Sequence, residues 1–217
     1  MRLSEIEFGS LLAYSPRGNS TLQCRSRTVM RALTNDEYLN LGNNQILMSD
    51  YIAEGIQNNI RKLPFADYFD TKPVLVPIPN SSLNKRGTLW VPQRISAALV
   101  RLGLGSRVAE CLKRVTPLRR SATSLAADRP KAEEHHGSIE VTKMLDEPRE
   151  FLLVDDVVTR GATLLGAANK LADAFPNAQI RAFVAMRTIS KPENFVRINA
   201  PCKGTITLVG DDTFRNP

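Results

Sequence analysis

The residues best suited to chemistry stand together in Asp155-Asp156-Val157-Val158-Thr159-Arg160-Gly161-Ala162-Thr163. Two adjacent carboxylates at a strand end can accept hydrogen bonds from vicinal hydroxyls, such as those of a ribose. Thr159 to Thr163 then bring backbone N–H groups, two hydroxyls and a guanidinium to the start of a helix, where the dipole and the free N–H groups favour a phosphate. Gly161 removes a side chain where the backbone must approach an anion. A diol site beside a phosphate site describes a ribose 5-phosphate. An Asp pair alone reads as a solvated strand end. The register of strand, acidic pair, Thr-x-Gly-x-Thr and helix gives the pair its meaning.

The elements that must position these residues follow from the apolar pattern. Phe151-Leu152-Leu153-Val154 is an unbroken apolar run and reads as a buried strand ending at the acidic pair. Gly161 to Phe175 reads as a helix, Gln179 to Met186 as another buried strand, and Thr205 to Val209 as the last one, followed by a turn at Gly210-Asp211-Asp212. Upstream, Pro73 to Pro79 reads as a strand running into a loop. Val91, Ile95, Ala98, Leu99 and Leu102 then share one helical face that Gly103 and Gly105 end. Val108 to Leu112 is a weaker strand. A helix with Ile52, Ile56, Ile60 and Leu63 starts from Ser49 as its cap and stops at Pro64. The first 48 residues are mixed, with Leu11 to Tyr14 and Thr28 to Met30 reading as short strands around the turn Ser15 to Asn19. Trp90, Phe183 and Cys111 read as packing residues. Strands alternating with helices predict an α/β fold, a mainly parallel sheet with helices on both faces and ligands beyond the carboxyl ends of the strands.

The stretch Phe151 to Leu165 resembles the signature of the type I phosphoribosyltransferases, which bind 5-phosphoribosyl-1-pyrophosphate (PRPP). Within that family the chain is most similar to the competence-associated ComF group. The likeness rests on Val76-Pro77-Ile78-Pro79, Lys85-Arg86-Gly87, Leu112-Lys113-Arg114-Val115-Thr116 and the Asp-Asp motif, across roughly residues 73 to 186. The resemblance implies a five-stranded sheet in one domain over residues 1–217, with a core at about 49–190 and a hood from N-terminal residues, residues 138–150, or both. It implies that Asp155 and Asp156 hold the ribose hydroxyls and that Thr159, Arg160, Gly161, Ala162 and Thr163 cradle the 5-phosphate. The loop Pro79 to Asn84, with Arg86, would approach the pyrophosphate. Mg²⁺ would arrive with PRPP rather than on direct protein ligands, reaching Asp155 or Asp156 through water. Three departures stand out. ComF-like proteins commonly open with a cysteine-rich zinc segment, and here Cys24, Cys111 and Cys202 are far apart. Arg160 stands where Thr is usual. Thr159 stands where purine-salvage members carry an Asp general base, and a threonine hydroxyl is no useful base near neutral pH.

Arg129-Pro130-Lys131-Ala132-Glu133-Glu134-His135-His136-Gly137 resembles the flexible catalytic loop of orotate phosphoribosyltransferases. Loss of pyrophosphate from C1 builds negative charge on the leaving group and oxocarbenium character on the ribose. A loop that closes cations over the departing oxygens and excludes water stabilises that transition state. Arg129 and Lys131 would supply charge, and His135 or His136 would donate a proton. Adjacent side chains diverge, so one histidine at most is expected to face the site.

The composition, 42% hydrophobic and 24% charged, is that of an ordinary globular domain. A net charge of +7 without a basic run favours anionic ligands and leaves nucleic acid open as a partner. Neither a signal-peptide core nor a membrane-length apolar stretch is present, so a cytoplasmic protein with no membrane partner is expected. Similar folds commonly form homodimers. Two functions compete: an enzyme transferring phosphoribosyl from PRPP to an unidentified acceptor, and a non-catalytic PRPP- or nucleotide-sensing or nucleic-acid-binding protein linked to DNA uptake or processing.

Overall fold

The computed structural model describes residues 2–42, 44–83, 87–118 and 130–217. The chain forms an α/β fold around a seven-stranded sheet. In chain order the elements are β1 (Glu5–Tyr14), α1 (Thr21–Thr34), β2 (Tyr38–Leu41), β3 (Asn44–Leu47), α2 (Met48–Asn59), β4 (Val74–Pro77), α3 (Val91–Arg101) and β5 (Arg107–Val108). There follow β6 (Leu112–Arg114), α4 (Ala132–Gly137), β7 (Ile139–Val141), β8 (Glu150–Val158), α5 (Ala162–Ala174), β9 (Gln179–Thr188), β10 (Asn199–Val209) and β11 (Asp212–Asn216).

The large sheet has the order β11-β10-β1-β9-β8-β4-β5. The strands β1, β9, β8, β4 and β5 run parallel to their neighbours. The mainly parallel character is as expected, but the sheet has seven strands rather than five, because β1 joins the parallel set and β11 adds an edge strand beyond β10. An antiparallel pair, β10 and β11, extends the sheet beyond β1. Two small antiparallel pairs, β2 with β3 and β6 with β7, stand apart from it.

The N-terminal region departs most from expectation. Leu11 to Tyr14 is only the end of a ten-residue strand lying between β9 and β10. Gly9 and Ser10 interrupt its apolar pattern for packing reasons. A Cβ at Gly9 would sit 2.5 Å from the Phe65 ring, and Ser10 Oγ accepts from Arg187 at 3.2 Å. Thr28 to Met30 belongs to α1, not to a strand. That helix starts with a capping box in which Ser20 Oγ accepts from Gln23 N and Gln23 Oε1 accepts from Ser20 N. Ser49 is not the cap of α2, which begins a residue earlier. The cap comes from Asp36, whose Oδ1 accepts from Ser49 N at 2.8 Å while Oδ2 accepts from Arg94 of α3 at 2.8 Å.

The core has two parts, one on each face of the sheet. On one face α4 and α5 cover Phe8, Leu153, Val184 and Ile206. On the other, α1, α2 and α3 cover Leu12, Leu75, Leu152 and Phe183. Residues of β8 and β9 therefore contribute to both, which explains why their apolar runs are continuous. Phe183 lies 5.8 Å from the Phe65 ring and 6.1 Å from the Phe69 ring, centroid to centroid. Cys111 is buried, which raises its thiol to about 11 and keeps it a small apolar filler. Among the described residues, no helix is long and apolar enough to cross a membrane.

This packing makes Phe183→Ala a cavity mutation at the centre of an aromatic cluster, with an expected cost of about 3–5 kcal/mol. Urea unfolding is expected to show the loss as a lower midpoint. Cys24→Ser, at an exposed position, should leave the midpoint where it is.

Candidate functional site

The site begins where β4 stops. Val76 and Pro77 pair with Leu153 and Val154, and Ile78 N donates to Val154 O at 2.9 Å. Pro79 has no N–H to continue the ladder. On the other side β8 stays paired with β9 as far as Val158. The acidic pair therefore lies within the strand, where the sequence reading placed the strand end at Val154. From Asp155 onward, no described strand pairs with the edge of β8 that faced β4.

A cavity of about 450 Å³ opens at that edge. Asp155, Asp156 and Thr163 line one side, Asn80 and Ser81 from the loop after β4 another, and Arg114 and His135 close it. Thr34 and Asn35, at the end of α1, also reach it. Asp155 Oδ1 accepts from Asp156 N at 3.0 Å, and Asp156 Oδ1 accepts from Val157 N at 2.8 Å. Both carboxyls are raised above the ordinary value of 3.8, chiefly because the surrounding protein strips them of water, although each keeps partial exposure at the cavity wall. Asp156 adds repulsion at Asp155, and Arg114 partly offsets the rise there.

Beyond β8, Thr159 and Arg160 lead to Gly161, which precedes α5 with φ +92°. A recess of about 50 Å³ lies against this loop. Glycine is needed at 161 for the positive φ, and because a Cβ there would sit 2.6 Å from the Ile206 side chain. Ala162 and Thr163 open α5. Thr163 Oγ1 lies 3.2 Å from His135 Nε2.

The basic segment is partly helical. Ala132 to Gly137 forms α4, which packs on α5 at Gly166, where a Cβ would meet Ala132 O at 2.5 Å. This docking carries His135 to the cavity and sends His136 elsewhere, with Nε2 2.6 Å from Asp173 Oδ2. Burial, with the Arg114 charge beside it, pushes His135 down to about 3. Its ring is neutral at pH 7 and can offer or accept one hydrogen bond at each nitrogen. Lys131 pairs with Asp211 in the β10–β11 turn, and Arg160 with Asp212 at the start of β11. Arg86 and Arg129 lie outside the described residues.

Sequence reasoning missed Arg114 as a site residue. It is buried, with Nε donating to Asn80 O at 3.1 Å and Nη1 to Ser138 Oγ. Burial lowers it to about 10, so it stays charged at neutral pH. Among the described residues Nη2 has no partner, and neither has His135 Nδ1. The signal was present, since strand alternation in Leu112-Lys113-Arg114 turns residues 112 and 114 inward together. Arg114 also borders a second cavity of about 560 Å³ beside Trp90 and Lys113, which lacks the acidic pair. Trp90 is half-buried, fixed by its Nε1 donating to Ile78 O at 2.6 Å.

No family model matches the chain. No curated protein matches it either. Among solved structures, a hypoxanthine phosphoribosyltransferase from Staphylococcus aureus is similar at 14% identity and a TM-score of 0.31, over 67% of this chain. The chain spans 64% of the length of that enzyme. A likeness this slight carries no argument about chemistry, and the site rests on its own geometry.

The raised carboxyls give the stability a definite pH dependence. The native state holds protons on Asp155 and Asp156 at a pH where the unfolded chain has released them. Stability is therefore lost as pH rises from about 3.8 through the raised native values. Asp155→Asn removes one member of the pair while keeping an oxygen acceptor. It is expected to melt at a higher temperature than the wild type at pH 7, with the two converging toward pH 4. A variant that melts lower at pH 7 would show that the Asp155 charge is stabilising.

Proposed function

We propose that this protein binds PRPP and transfers its phosphoribosyl group to an acceptor, releasing pyrophosphate. The observation that carries the reading is the sequence of sites along one strand edge. The Asp155–Asp156 pair comes first, and the loop Thr159 to Thr163 at the start of α5 follows directly. Vicinal ribose hydroxyls would donate to the two carboxylates, and the 5-phosphate would take the backbone N–H groups of the loop. The loop Pro79 to Ser81 and Arg114 form the other side of the same cavity and suit a pyrophosphate. The free Nη2 of Arg114 is a charged donor without a described partner, in reach of a group that gains negative charge as the bond to C1 breaks. The Val76 to Pro79 run and the Lys113-Arg114 strand favour a ComF-like relationship within this reading.

Asp155 and Asp156 also fit a role toward Mg²⁺. Among the described residues, no three His, Cys, Asp or Glu side chains converge on a metal position. Two half-buried carboxyl groups lining the same cavity suit a hydrated cation carried in by a diphosphate, which keeps several of its waters. When bound, Mg²⁺ would neutralise pyrophosphate charge. The chain's own contribution is to orient the ribose through Asp155 and Asp156, hold the phosphate on the loop and place Arg114 at the leaving group. His135, neutral at pH 7, would position Thr163 or donate a hydrogen bond. Proton transfer from an imidazolium at that position is disfavoured. His136 is engaged with Asp173, and Lys131 would have to leave Asp211 to reach an anion.

Calorimetry with PRPP and Mg²⁺ tests the reading. The wild type is expected to bind, and Asp155→Asn/Asp156→Asn to bind at least about tenfold more weakly, since charged hydrogen bonds to the ribose are lost. Pyrophosphate release on screening acceptors would separate a transferase from a sensor. A folded wild type that gives no binding at roughly millimolar PRPP would overturn the proposal and put nucleic-acid binding first.

A further inference from the structure

The phosphate loop is held from behind by a part of the chain outside the ligand cavity. Three consecutive loop residues each meet the β10–β11 hairpin. Thr159 O accepts from Arg215 Nε at 2.8 Å. Arg160 pairs with Asp212. Gly161 lies against Ile206, so closely that a Cβ would not fit. Ile206 and Arg215 are cross-strand partners in the hairpin, so one register position of it supports both ends of the three-residue turn.

Arg215 is the centre of this support. Its Nη2 donates to Thr188 O, at the end of β9, at 2.5 Å, and its Nη1 donates to Pro217 O. Its guanidinium carbon stands 5.7 Å from the Phe8 ring centroid on β1. All three nitrogens are therefore used on carbonyls from three different segments, a geometry that the planar fork of arginine can meet and a lysine ammonium cannot. Burial, then the neighbouring charge of Arg187, lower Arg215 to about 10, which leaves it protonated at neutral pH. Arg215 lines neither the cavity at the acidic pair nor the recess at the loop.

We propose that Arg215 is a positioning residue for anion binding, fixing the Thr159 carbonyl so that the N–H groups that follow it converge on a phosphate. The proposal rests on the reading of Thr159 to Thr163 as a phosphate cradle. It adds that the β10–β11 hairpin, besides widening the sheet and burying Ile206 in the core, is a working part of the site. A loop freed from Arg215 would sample other orientations of the 159–160 peptide and present its donors out of register. The effect is confined to the phosphate end, because the hairpin has no contact with Arg114 or with the Asn80 loop among the described hydrogen bonds and ion pairs.

Arg215→Met and Arg215→Lys are compared with the wild type for binding of ribose 5-phosphate and, separately, of pyrophosphate. Arg215→Met is expected to weaken ribose 5-phosphate by about tenfold and leave pyrophosphate unchanged. Arg215→Lys keeps the charge but not the fork, and is expected to lose about as much; it carries the test should the Met variant fail to fold. Amide hydrogen exchange should quicken at residues 160–163 in either variant and stay unchanged in the last turn of α5. Wild-type affinity for ribose 5-phosphate in both folded variants would overturn the positioning role while leaving the proposed function intact. Full recovery in Arg215→Lys would show that charge alone matters and would equally overturn it, as would parallel losses for both ligands. A wild type that binds pyrophosphate but no ribose 5-phosphate would overturn the reading of the loop, and this inference with it.

Discussion

Two carboxylates at adjacent positions of the central strand, half-buried in the cavity wall, set the terms for the structure around them. Each is disfavoured in its charged form by burial, and Asp155 also by its neighbour. The fold holds them there because β8 is locked on both sides: by β9 along its length, and by β4 up to Val154. The prolines after Val76 end β4 at the point where the pair begins. A strand edge that β4 no longer covers, provided with acceptors, is suited to a ligand that donates, and the ribose hydroxyls do so. Stability given up at such a position is common at sites built for binding.

The positive charges around the pair divide into two kinds. Arg114 is buried and directed by Asn80 and Ser138, with one nitrogen left over. It lies close enough to Asp155 to lower that carboxyl somewhat, and its charge helps to keep His135 neutral. Arg160 and Lys131 are more exposed and pair with adjacent carboxylates of the β10–β11 hairpin, Asp212 and Asp211 respectively. The Lys131–Asp211 pair is well exposed and contributes little to stability, whereas Arg160–Asp212 is less exposed and helps to hold the phosphate loop. Arg114 is thus the fixed cation of the cavity, Arg160 borders the recess at the phosphate loop, and Lys131 lines neither.

The centre of the molecule was legible because its residues obey one rule each. Phe151 to Val154 and Gln179 to Met186 are buried on both faces and read as unbroken apolar runs. Gly161 before a helix marks the turn that a left-handed backbone requires. The expectation that one histidine at most would face the cavity agrees with the divergence of His135 and His136. Legibility failed where long-range packing sets the residue type. Gly9 and Ser10 break the pattern of β1 because Phe65 and Arg187 approach them from 56 and 177 positions away. Asp36 caps α2 through space, so the local signal at Ser49 misleads. The start of α1 is marked locally by the Ser20–Gln23 capping box, although its apolar pattern is weak. β11 is short and lies at the sheet edge, with Thr213 and Arg215 facing inward and Phe214 exposed, so no apolar alternation announces it. Arg114 escaped notice because a charged residue on a three-residue strand looks like surface until its partner strand is known.

The central claim is that one strand edge holds a phosphorylated ribose, hydroxyls on the acidic pair and phosphate on the loop. A crystal structure of the protein with ribose 5-phosphate tests it most directly. The account predicts the two ring hydroxyls within hydrogen-bond distance of the Asp155 and Asp156 carboxylates, and the phosphate on the backbone N–H groups of residues 160–163. A sugar phosphate seated instead in the cavity beside Trp90 and Lys113, with the acidic pair untouched, would contradict it.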